Sequence, residues 1–469
     1  MTDITLKTDY LIAGAGAVGM SFADVILTET DADIILFDSR AKPGGHWNDA
    51  YPFVTLHQPS QYYGVSSKEL SSGLRDEVGL NKGMADLASG AEVNAYFDQV
   101  MRQTFLPSGR VRWFPMCDWL GGTRFQNRLT GQTYSVEAAK TVDATFLKTS
   151  IPSRHTPNFT VSGAKLIPLN DLPDVATPPD GYTVIGGGKT GIDACLWLLE
   201  MGVAPKDIRW ITPRDGWMLD RANTQPSMDF FEQTLGSVAN QFESIAYSTS
   251  IDDMFDRLEA CGYFVRIDKD VRPKMFHGAT ISQAELAALR EIKNVVRMGR
   301  VKSLGATEIV LDGGTVPTTP GTLHVDCSAS AITNEEIKPI FADDLITPQM
   351  VRSYQPIFSA AFIAHIEATR ADDAEKNRLC GVVPLPNHDT DFIRFTSAFM
   401  LNQYNWSQEE DLRQWLLENR LDGFSKLVSQ VTPEDTAKKA ILKRIKEASF
   451  PAGMKLQGYV SELKKCGMA

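Results

Sequence analysis

Two glycine-rich segments have the residue types and the spacing that bind phosphate groups. They are Gly14, Gly16 and Gly19 in the first segment and Gly186, Gly188 and Gly191 in the second. In the spacing GxGxxG the first glycine permits a tight turn, the second lets a pyrophosphate approach the backbone, and the third lets a helix pack closely on a strand. The phosphate then meets amide groups at the positive end of the helix dipole. Both segments therefore predict dinucleotide binding.

The residues that follow each turn distinguish the two nucleotides. Asp38 lies about twenty residues beyond the first turn, where an acid accepts hydrogen bonds from a ribose. The second segment has Thr212 at the equivalent position, followed by Arg214. Because the acid is replaced and a guanidinium can bind a 2′-phosphate, the second site is predicted to prefer NADPH over NADH. Lys189 and Thr190 are further candidates there, and a solvated surface charge is the alternative for Arg214.

Strands and helices must position both turns. Around each turn the pattern is apolar strand, glycine turn, helix and apolar strand, which predicts a βαβ unit. The predicted strands are 10–13 and 34–37 around a helix over 18–26, then 182–185 and 208–211 around a helix over about 192–199. A Pro-rich stretch over 172–181 separates the units and is interpreted as a domain crossing. The expected fold class is α/β, with two Rossmann-like dinucleotide-binding domains and a helical carboxy-terminal region.

The pattern changes after the second unit. Residues 295–328 have strand-like patterning, and Asp312 followed by Gly313 predicts a hairpin. Beyond about residue 345 helical spacing dominates, and the residues from Trp406 to Leu416 are predicted to lie on one helix. We expect this region to complete the core of the first domain or to cover an active site.

The composition excludes several classes of protein. Of 469 residues, 43% are hydrophobic and 22% charged, which is ordinary globular usage and excludes a disordered or fibrous chain. The 47 Lys and Arg against 58 Asp and Glu give a net charge of -11, and such a surface repels nucleic acid and anionic lipid. No nucleic-acid or membrane partner is expected, and a homodimer is left open.

The cysteines, the short catalytic motifs and the amino terminus limit the reactions and the cellular location that we expect of the protein. The six cysteines are far apart and form no CxxC pair, which indicates reduced thiols. The sequence contains no HExxH and no GxSxG, so neither a metal site nor a serine hydrolase is expected. The amino terminus lacks the pattern of a leader peptide, and no apolar run approaches the length of a membrane span. A cytoplasmic location is predicted.

The residues around the glycine turns resemble the two-dinucleotide flavoproteins, and more closely the class B flavoprotein monooxygenases. Gly44-Gly45-His46-Trp47 is similar to the GGxW segment that runs beside the flavin in that family, and Ala50-Tyr51-Pro52 is similar to the Tyr-Pro that follows it. The resemblance implies that the first fingerprint binds FAD and the second binds NADPH. It assigns to FAD Gly14, Gly16, Gly19 and Asp38, with Gly45 and Trp47 beside the flavin, and to NADPH Gly186, Gly188, Gly191 and Arg214.

The resemblance also implies a domain order and shows two departures. An FAD-binding domain over 1–172 would precede an NADP-binding domain over 173–320, and 321–469 would complete the first domain and add a helical substrate or lid region. The family's FxGxxxHxxxW fingerprint is absent, and its ATG segment is replaced after Asp143. No subclass is therefore assigned. Asp326 is a candidate for the acid that contacts the flavin ribityl chain, and an acid at the edge of the core is the equal alternative.

Three side chains are candidate catalytic groups. His46 and Trp47 belong to the GGxW-like segment, and His46 could face the flavin or a pyrophosphate, with a hydrogen-bonded loop histidine as the alternative. Gln58 lies on a loop that in relatives passes near the isoalloxazine, where it could position nicotinamide or oxygen.

The favoured function is that of an FAD-dependent, NADPH-using monooxygenase. Such an enzyme oxygenates a small organic substrate with molecular oxygen through a C4a-(hydro)peroxyflavin, and the flavin carries the chemistry. The first alternative is an FAD-dependent NAD(P)H reductase or dehydrogenase that does not activate oxygen. The second is a non-catalytic protein that senses NADP(H) or holds partners together.

Overall fold

The chain is built on two β-sheets, a mixed sheet with five parallel strands and a wholly parallel sheet, which are flanked by helices and each carry one glycine turn. The structure, a computed structural model, describes residues 3–71, 73–330, 336–465 and 467. The predicted α/β class, with two Rossmann-like units and a helical carboxy-terminal region, is confirmed.

The strands of the described residues are numbered in chain order. They are β1 (Ile4–Ala13), β2 (Ile34–Phe37), β3 (Val111–Phe114), β4 (Cys117–Gly121), β5 (Arg124–Asn127), β6 (Thr133–Asp143), β7 (Thr160–Ser162), β8 (Lys165–Pro168), β9 (Gly181–Ile185), β10 (Ile208–Ile211), β11 (Gly216–Asp220), β12 (Phe264–Val265), β13 (Met275–Ile281), β14 (Asn294–Val296), β15 (Val301–Gly305), β16 (Glu308–Leu311), β17 (Gly314–Pro317), β18 (Thr322–Asp326), β19 (Phe341–Ala342) and β20 (Leu345–Ile346).

The α-helices are numbered in the same way. They are α1 (Ala17–Glu29), α2 (Gly90–Val100), α3 (Lys189–Glu200), α4 (Phe231–Ala246), α5 (Ile251–Ala260), α6 (Gln283–Leu289), α7 (Pro356–Thr369), α8 (Asp373–Leu379), α9 (Asp391–Ser407), α10 (Glu410–Glu418), α11 (Phe424–Ser429) and α12 (Thr436–Lys465).

The first sheet has the strand order β19-β20-β6-β1-β2-β3. Its strands β3, β2, β1, β6 and β20 are parallel, so their carboxyl ends lie at one edge. The predicted strand at 34–37 and the helix over 18–26 are confirmed as β2 and α1. β1 begins at Ile4 rather than at residue 10, because its first half is mostly exposed and polar and lacks the apolar run that marks a buried strand.

The second sheet has the order β14-β10-β9-β18-β8, and all its neighbouring strands are parallel. The chain visits β9, β10, β14 and β18 in the same spatial arrangement as β1, β2, β3 and β6. This sheet extends beyond the predicted limits of 173 and 320, because β8 and β18 are paired within it. The Pro-rich stretch over 172–181 therefore lies between two strands of the second sheet.

Helix α7 contributes to the core of the first unit. Every residue from Ile357 to Glu367 is buried, as expected of a helix that is surrounded by protein. The Ser21 hydroxyl in α1 donates a hydrogen bond of 3.0 Å to the Ile357 carbonyl oxygen, which fixes the start of α7 beside α1.

The prediction of one helix from Trp406 to Leu416 is wrong. α9 ends at Ser407 and α10 begins at Glu410, and the N-cap Glu409 between them has an extended backbone. The break changes the direction of the chain, so that Trp406 and Leu416 both pack in the core around α7 although they lie on different helices.

β4 and β5 extend the first sheet, in which β5 is antiparallel to both β4 and β6. The remaining strands form two small sheets, and α12 packs on α4 and α9. The predicted hairpin is confirmed, because β16 and β17 are antiparallel on either side of Asp312 and Gly313. No helix within the described ranges is long and apolar enough to cross a membrane. The described cysteines are free thiols, and Cys466 lies outside the described residues.

Candidate functional site

The first glycine turn connects β1 to α1, and its glycines meet definite steric requirements. Gly14 has a φ of +100°, which L side chains rarely adopt. A Cβ on Gly19 would lie 1.9 Å from the Gly14 carbonyl oxygen, so only glycine lets the helix approach the strand. Gly16 is the N-cap of α1, and no side chain caps this helix. The first amides of α1 therefore point to a place where an anion can bind.

Asp38 follows β2 and reaches back to the first turn. Its carboxylate accepts hydrogen bonds of 2.8 Å from the backbone N–H groups of Ala15 and Arg40. The residue is only 6% exposed. Because a carboxylate offers about four lone-pair positions, these two bonds leave acceptor capacity for ribose hydroxyls beside the turn.

The Gly44-Gly45 segment lies against the first turn. Gly45 has a φ of +57°, and a Cβ there would lie 2.7 Å from the Gly16 Cα. The two backbones come this close only because both residues are glycine. The Asn94 Oδ1 would be 2.7 Å from a Cβ on Gly44, and this buried oxygen has no hydrogen-bond partner among the described residues. An unpaired buried acceptor at this edge fits the presence of a ligand donor.

Two of the three candidate catalytic residues lie beside the first turn. The Trp47 indole N–H donates a hydrogen bond of 2.6 Å to the Tyr63 hydroxyl, and its ring stacks with that of His46 at 5.5 Å between centroids. Burial, reinforced by the charge of Arg40, lowers the pKa of His46 to about 4. His46 is therefore neutral at pH 7 and offers one donor and one acceptor. Gln58 is half-buried on the loop that follows.

The second glycine turn repeats the first. Gly186 has a φ of +141°, and a Cβ on Gly191 would lie 2.1 Å from the Gly186 carbonyl oxygen. Gly188 is the N-cap of α3, again with no capping side chain, and a Cβ on it would meet nothing within 4 Å. There is open space beside the middle glycine, where a pyrophosphate would approach.

Thr212 and Arg214 lie next to this second turn. A Cβ on Gly187 would be 2.7 Å from the Thr212 Cγ2 and 2.9 Å from the Arg214 carbonyl oxygen. The Thr212 hydroxyl is buried without a hydrogen-bond partner among the described residues. The Arg214 guanidinium donates a hydrogen bond of 2.8 Å to the Asn387 Oδ1, which holds the half-buried side chain to the loop before α9.

Contacts of the Asp193 carboxylate join the two units. Lys189, the first residue of α3, forms an ion pair with Asp193 one helical turn later. The other oxygen of Asp193 accepts a hydrogen bond of 2.5 Å from the Tyr51 hydroxyl, which belongs to the first unit. Burial and the charge of Asp193 raise the pKa of Tyr51 well above its usual value, so Tyr51 donates. Lys189 and Tyr51 are thereby held to one carboxylate between the two glycine turns.

Asp326 lies on the second sheet. It ends β18 and is in register with Ile185, the residue before the second glycine turn. Its Oδ1 accepts hydrogen bonds from the Ser328 backbone N–H and hydroxyl, at 2.9 and 2.6 Å. Asp143, at the end of β6, accepts the same pair of bonds from Thr145. Asp326 is thus the counterpart of Asp143 in the second unit and is placed beside the second turn.

A buried arginine connects the loop of the first unit to the second unit. Arg221 is 1% exposed and donates to both oxygens of Glu285, to the Asn81 Oδ1 and to the His57 carbonyl oxygen. Burial, together with the charges of Lys189 and Arg221, lowers the pKa of His57 well below its usual value. Arg221 therefore orders the loop that carries His57 and Gln58 and does not face a ligand with a free guanidinium.

Sequence reasoning did not single out Asp193 or Asn94. Asp193 had a usable signal, because an acid four residues after Lys189 lies on the same helix face as the lysine. Asn94 had none, because its contact with Gly44 depends on how α2 packs across the first sheet.

Comparison with known proteins places the chain in a family and identifies its fold. No protein-family model matches the chain. It is 44% identical over 454 residues to an uncharacterized protein of Mycobacterium tuberculosis and to one of Mycobacterium bovis, covering 96% of this chain and 84% of each relative. A cyclohexanone-bound cyclohexanone monooxygenase superposes with a TM-score of 0.51 at 11% identity, over 78% of this chain and 86% of that one. For a steroid monooxygenase bound to NADP the TM-score is 0.49 at 13% identity, with 77% and 85% covered.

The chain has the fold of the class B flavoprotein monooxygenases, and it belongs to the same protein family as these two mycobacterial proteins.

Proposed function

We propose that the protein is an FAD- and NADPH-dependent oxidoreductase that acts as a monooxygenase on a small organic molecule. The observation that carries the proposal is the pair of glycine turns, each at the carboxyl end of a parallel sheet and each followed by a helix without a capping side chain. Ligands of open α/β sheets bind at this edge. The hydrogen bond from Tyr51 to Asp193 connects the first unit to α3, the helix that follows the second turn.

The residues of the first turn fit the adenine half of FAD. Gly16 begins α1 without a capping side chain, so the first amides of the helix can meet a pyrophosphate, and Asp38 keeps acceptor capacity for the ribose. The unpaired Asn94 Oδ1 at Gly44 is a buried acceptor that a bound ligand would satisfy. When bound, the flavin would accept a hydride and react with molecular oxygen.

The residues of the second turn fit NADPH. Open space beside Gly188 suits the pyrophosphate, and the unpaired Thr212 hydroxyl can donate to a ribose oxygen or to a 2′-phosphate. Arg214 would leave or share its bond with Asn387 to bind the 2′-phosphate. The absence of an acid at Thr212 removes the repulsion that an NAD-specific site would impose.

The remaining side chains would prepare the cleft for the reaction. Neutral His46 can donate one hydrogen bond and accept another without placing a charge beside the ring system. Trp47 and Tyr63 hold His46 from one side through stacking and a hydrogen bond. Gln58, on the loop ordered by Arg221, would orient nicotinamide or oxygen. The expected partners are thus a small organic substrate and molecular oxygen, in the cytoplasm.

The proposal is tested with purified protein. After reconstitution with FAD, we expect a yellow protein with bound flavin that NADPH reduces faster than NADH does. Mixing the reduced protein with labelled oxygen and a panel of amines, ketones and phenols should yield a product that carries one labelled oxygen atom. A colourless protein that retains no FAD would overturn the proposal.

The missing FxGxxxHxxxW fingerprint favours a second candidate, an FAD-dependent reductase that passes electrons to another acceptor. The two are separated by aerobic turnover. A reductase would oxidise NADPH with quinones or other acceptors and would leave every organic test compound without labelled oxygen.

A further inference from the structure

Two consecutive residues at the start of α7, Tyr354 and Gln355, each bury a polar atom that lacks a partner. The Tyr354 hydroxyl and the Gln355 Oε1 are both inaccessible and have no hydrogen-bond partner among the described residues. Leaving such an atom unpaired costs about 1–3 kcal/mol, so native proteins rarely keep one without a reason. Two adjacent cases indicate a site in which a bound molecule supplies the partners.

The backbone at this point is strained. Tyr354 has a φ of +53°, which is uncommon for a residue with a large side chain. Strain of this kind is retained where the surrounding structure imposes it, and it concentrates at functional sites. Gly278 permits the arrangement, because it has a φ of +67° and a Cβ on it would lie 1.8 Å from the Tyr354 ring.

A purely structural role does not explain the hydroxyl. The Tyr354 ring packs against Phe276 and Phe395, with centroids 5.6 and 4.5 Å away. A phenylalanine would make the same ring contacts without burying an unpaired hydroxyl. The aromatic surroundings therefore account for the ring and leave the oxygen unexplained.

The two residues lie where the units meet. Immediately after them, the Ile357 carbonyl oxygen accepts the hydrogen bond from Ser21 in α1, the helix of the first glycine turn. On the other side the Tyr354 ring covers Gly278 in β13, and β13 is paired with β11, which follows Arg214 and the second glycine turn. The unpaired atoms thus lie at the junction between α1 of the first unit and the small sheet of β11, β12 and β13, which follows the second glycine turn.

We propose that Tyr354 and Gln355 form a subsite for the amide edge of a planar heteroaromatic ring at this junction. The Tyr354 hydroxyl would donate to the ring's carbonyl oxygen, and the Gln355 Oε1 would accept from the adjacent N–H. Such an edge occurs on the nicotinamide carboxamide and on the pyrimidine side of the isoalloxazine. The inference rests on the proposed function, because it assumes that these two molecules are bound.

The experiment compares Tyr354→Phe and Gln355→Met with the parent protein, each as full-length chain. FAD affinity is measured with the apoprotein, and the affinities for NADP⁺ and for 2′,5′-ADP, which lacks the nicotinamide ring, with the flavin-loaded protein. Loss of one hydrogen bond should weaken binding about 5- to 10-fold. If nicotinamide occupies the subsite, only NADP⁺ binding weakens, and 2′,5′-ADP binding does not change. If the flavin occupies it, FAD binding weakens and the flavin absorbance maxima shift.

Tyr62→Phe is the matched control. Its hydroxyl is also buried without a partner among the described residues, but its ring stacks on Phe424 and lies against Gly423 rather than Gly278, so its removal should leave all three affinities unchanged. The subsite is overturned if Tyr354→Phe and Gln355→Met bind FAD and NADP⁺ as the parent does, or if NADP⁺ and 2′,5′-ADP weaken equally. In those cases the proposed function stands, whereas a parent protein that binds no FAD refutes the function itself.

Discussion

Single glycines in the turns set how closely helix and strand approach. Gly191→Ala would place a Cβ 2.1 Å from the Gly186 carbonyl oxygen and force α3 away from β9. We expect a loss of roughly 1–3 kcal/mol in the free energy of unfolding, as for overpacked sites, together with weaker NADP⁺ binding. Urea unfolding and NADP⁺ titration measure both effects.

Gly236→Ala in α4 is the control for that change. A Cβ there would meet nothing within 4 Å, and alanine is favoured over glycine inside a helix by about 1 kcal/mol. This variant should be as stable as the parent or more stable. Equal behaviour of the two variants would show that close packing at Gly191 is not required.

Arg214 carries the predicted preference for the 2′-phosphate. Arg214→Ala should raise the KM for NADPH roughly 10- to 100-fold and scarcely alter that for NADH, because the lost contact is charge-assisted. Asn387→Ala should have a smaller effect, since it removes only the side chain to which Arg214 is hydrogen-bonded. Steady-state kinetics with both nucleotides measure this, and an equal change for both would contradict the assignment.

His46 makes stability depend on pH. Its pKa is about 4 in the folded chain, below the ordinary value of 6.5, because burial disfavours the charged form. Between these values the unfolded chain binds more protons, so stability falls as the pH decreases from 6.5 to 4, by up to about 3 kcal/mol. His57 adds to the trend in the same direction. In urea unfolding at pH 7 and pH 5, His46→Gln should lose less stability than the parent, and an unchanged pH dependence would refute the role of His46.

At the scale of elements, the loop over 55–61 depends on one arginine from the other unit. Removing one partner of a buried ion pair costs about 3–5 kcal/mol, and we expect such a loss for Arg221→Ala. Lysine cannot replace the paired bonds to Glu285, so Arg221→Lys should remain destabilised. The exposed pair of Arg257 and Asp253 is the control, and Arg257→Ala should leave thermal and urea unfolding nearly unchanged.

The elements around the turns were predictable because their signals are local. Glycine spacing, an apolar run and a terminal acid lie within one βαβ unit, and β2 and α1 follow from them directly. The break between α9 and α10 was not predictable from periodicity, because apolar residues at helical spacing continue across it. The contact of Arg221 with the loop of the first unit was equally unpredictable, since His57 is 164 positions away in the sequence.

Tyr354 and Gln355 could not be predicted from the sequence as members of a site either. Neither residue belongs to a motif, and their unpaired atoms are recognised only once α7 is packed between α1 and β13. For Asp326 the sequence left two interpretations open, a flavin contact and an acid at the edge of the core. Strand pairing places this residue beside the second turn, because β18 is hydrogen-bonded to β9.

At the scale of the whole molecule, Tyr51 couples the two binding sites. Tyr51→Phe removes its hydrogen bond to Asp193, which is one of the contacts between the first unit and α3, and leaves the stacking of Phe53 on Trp197 in place. We expect FAD and NADP⁺ to bind more independently, so that FAD changes the NADP⁺ affinity less in the variant than in the parent. Titrations of NADP⁺ into the apoprotein and the flavin-loaded protein measure the coupling. An unchanged ratio of the two affinities would show that the link lies elsewhere.

The turns that follow β6 and β18 contain the same pair of hydrogen bonds, and this similarity bears on how the two units arose. In each, an aspartate accepts two bonds from the hydroxyl residue two positions later, beside a strand that leads into a glycine turn. Shared strand order and a shared terminal detail are what the duplication of an ancestral gene segment would leave behind. Asp38 in one unit corresponds to Thr212 in the other, so this position is one at which two units of common origin would differ.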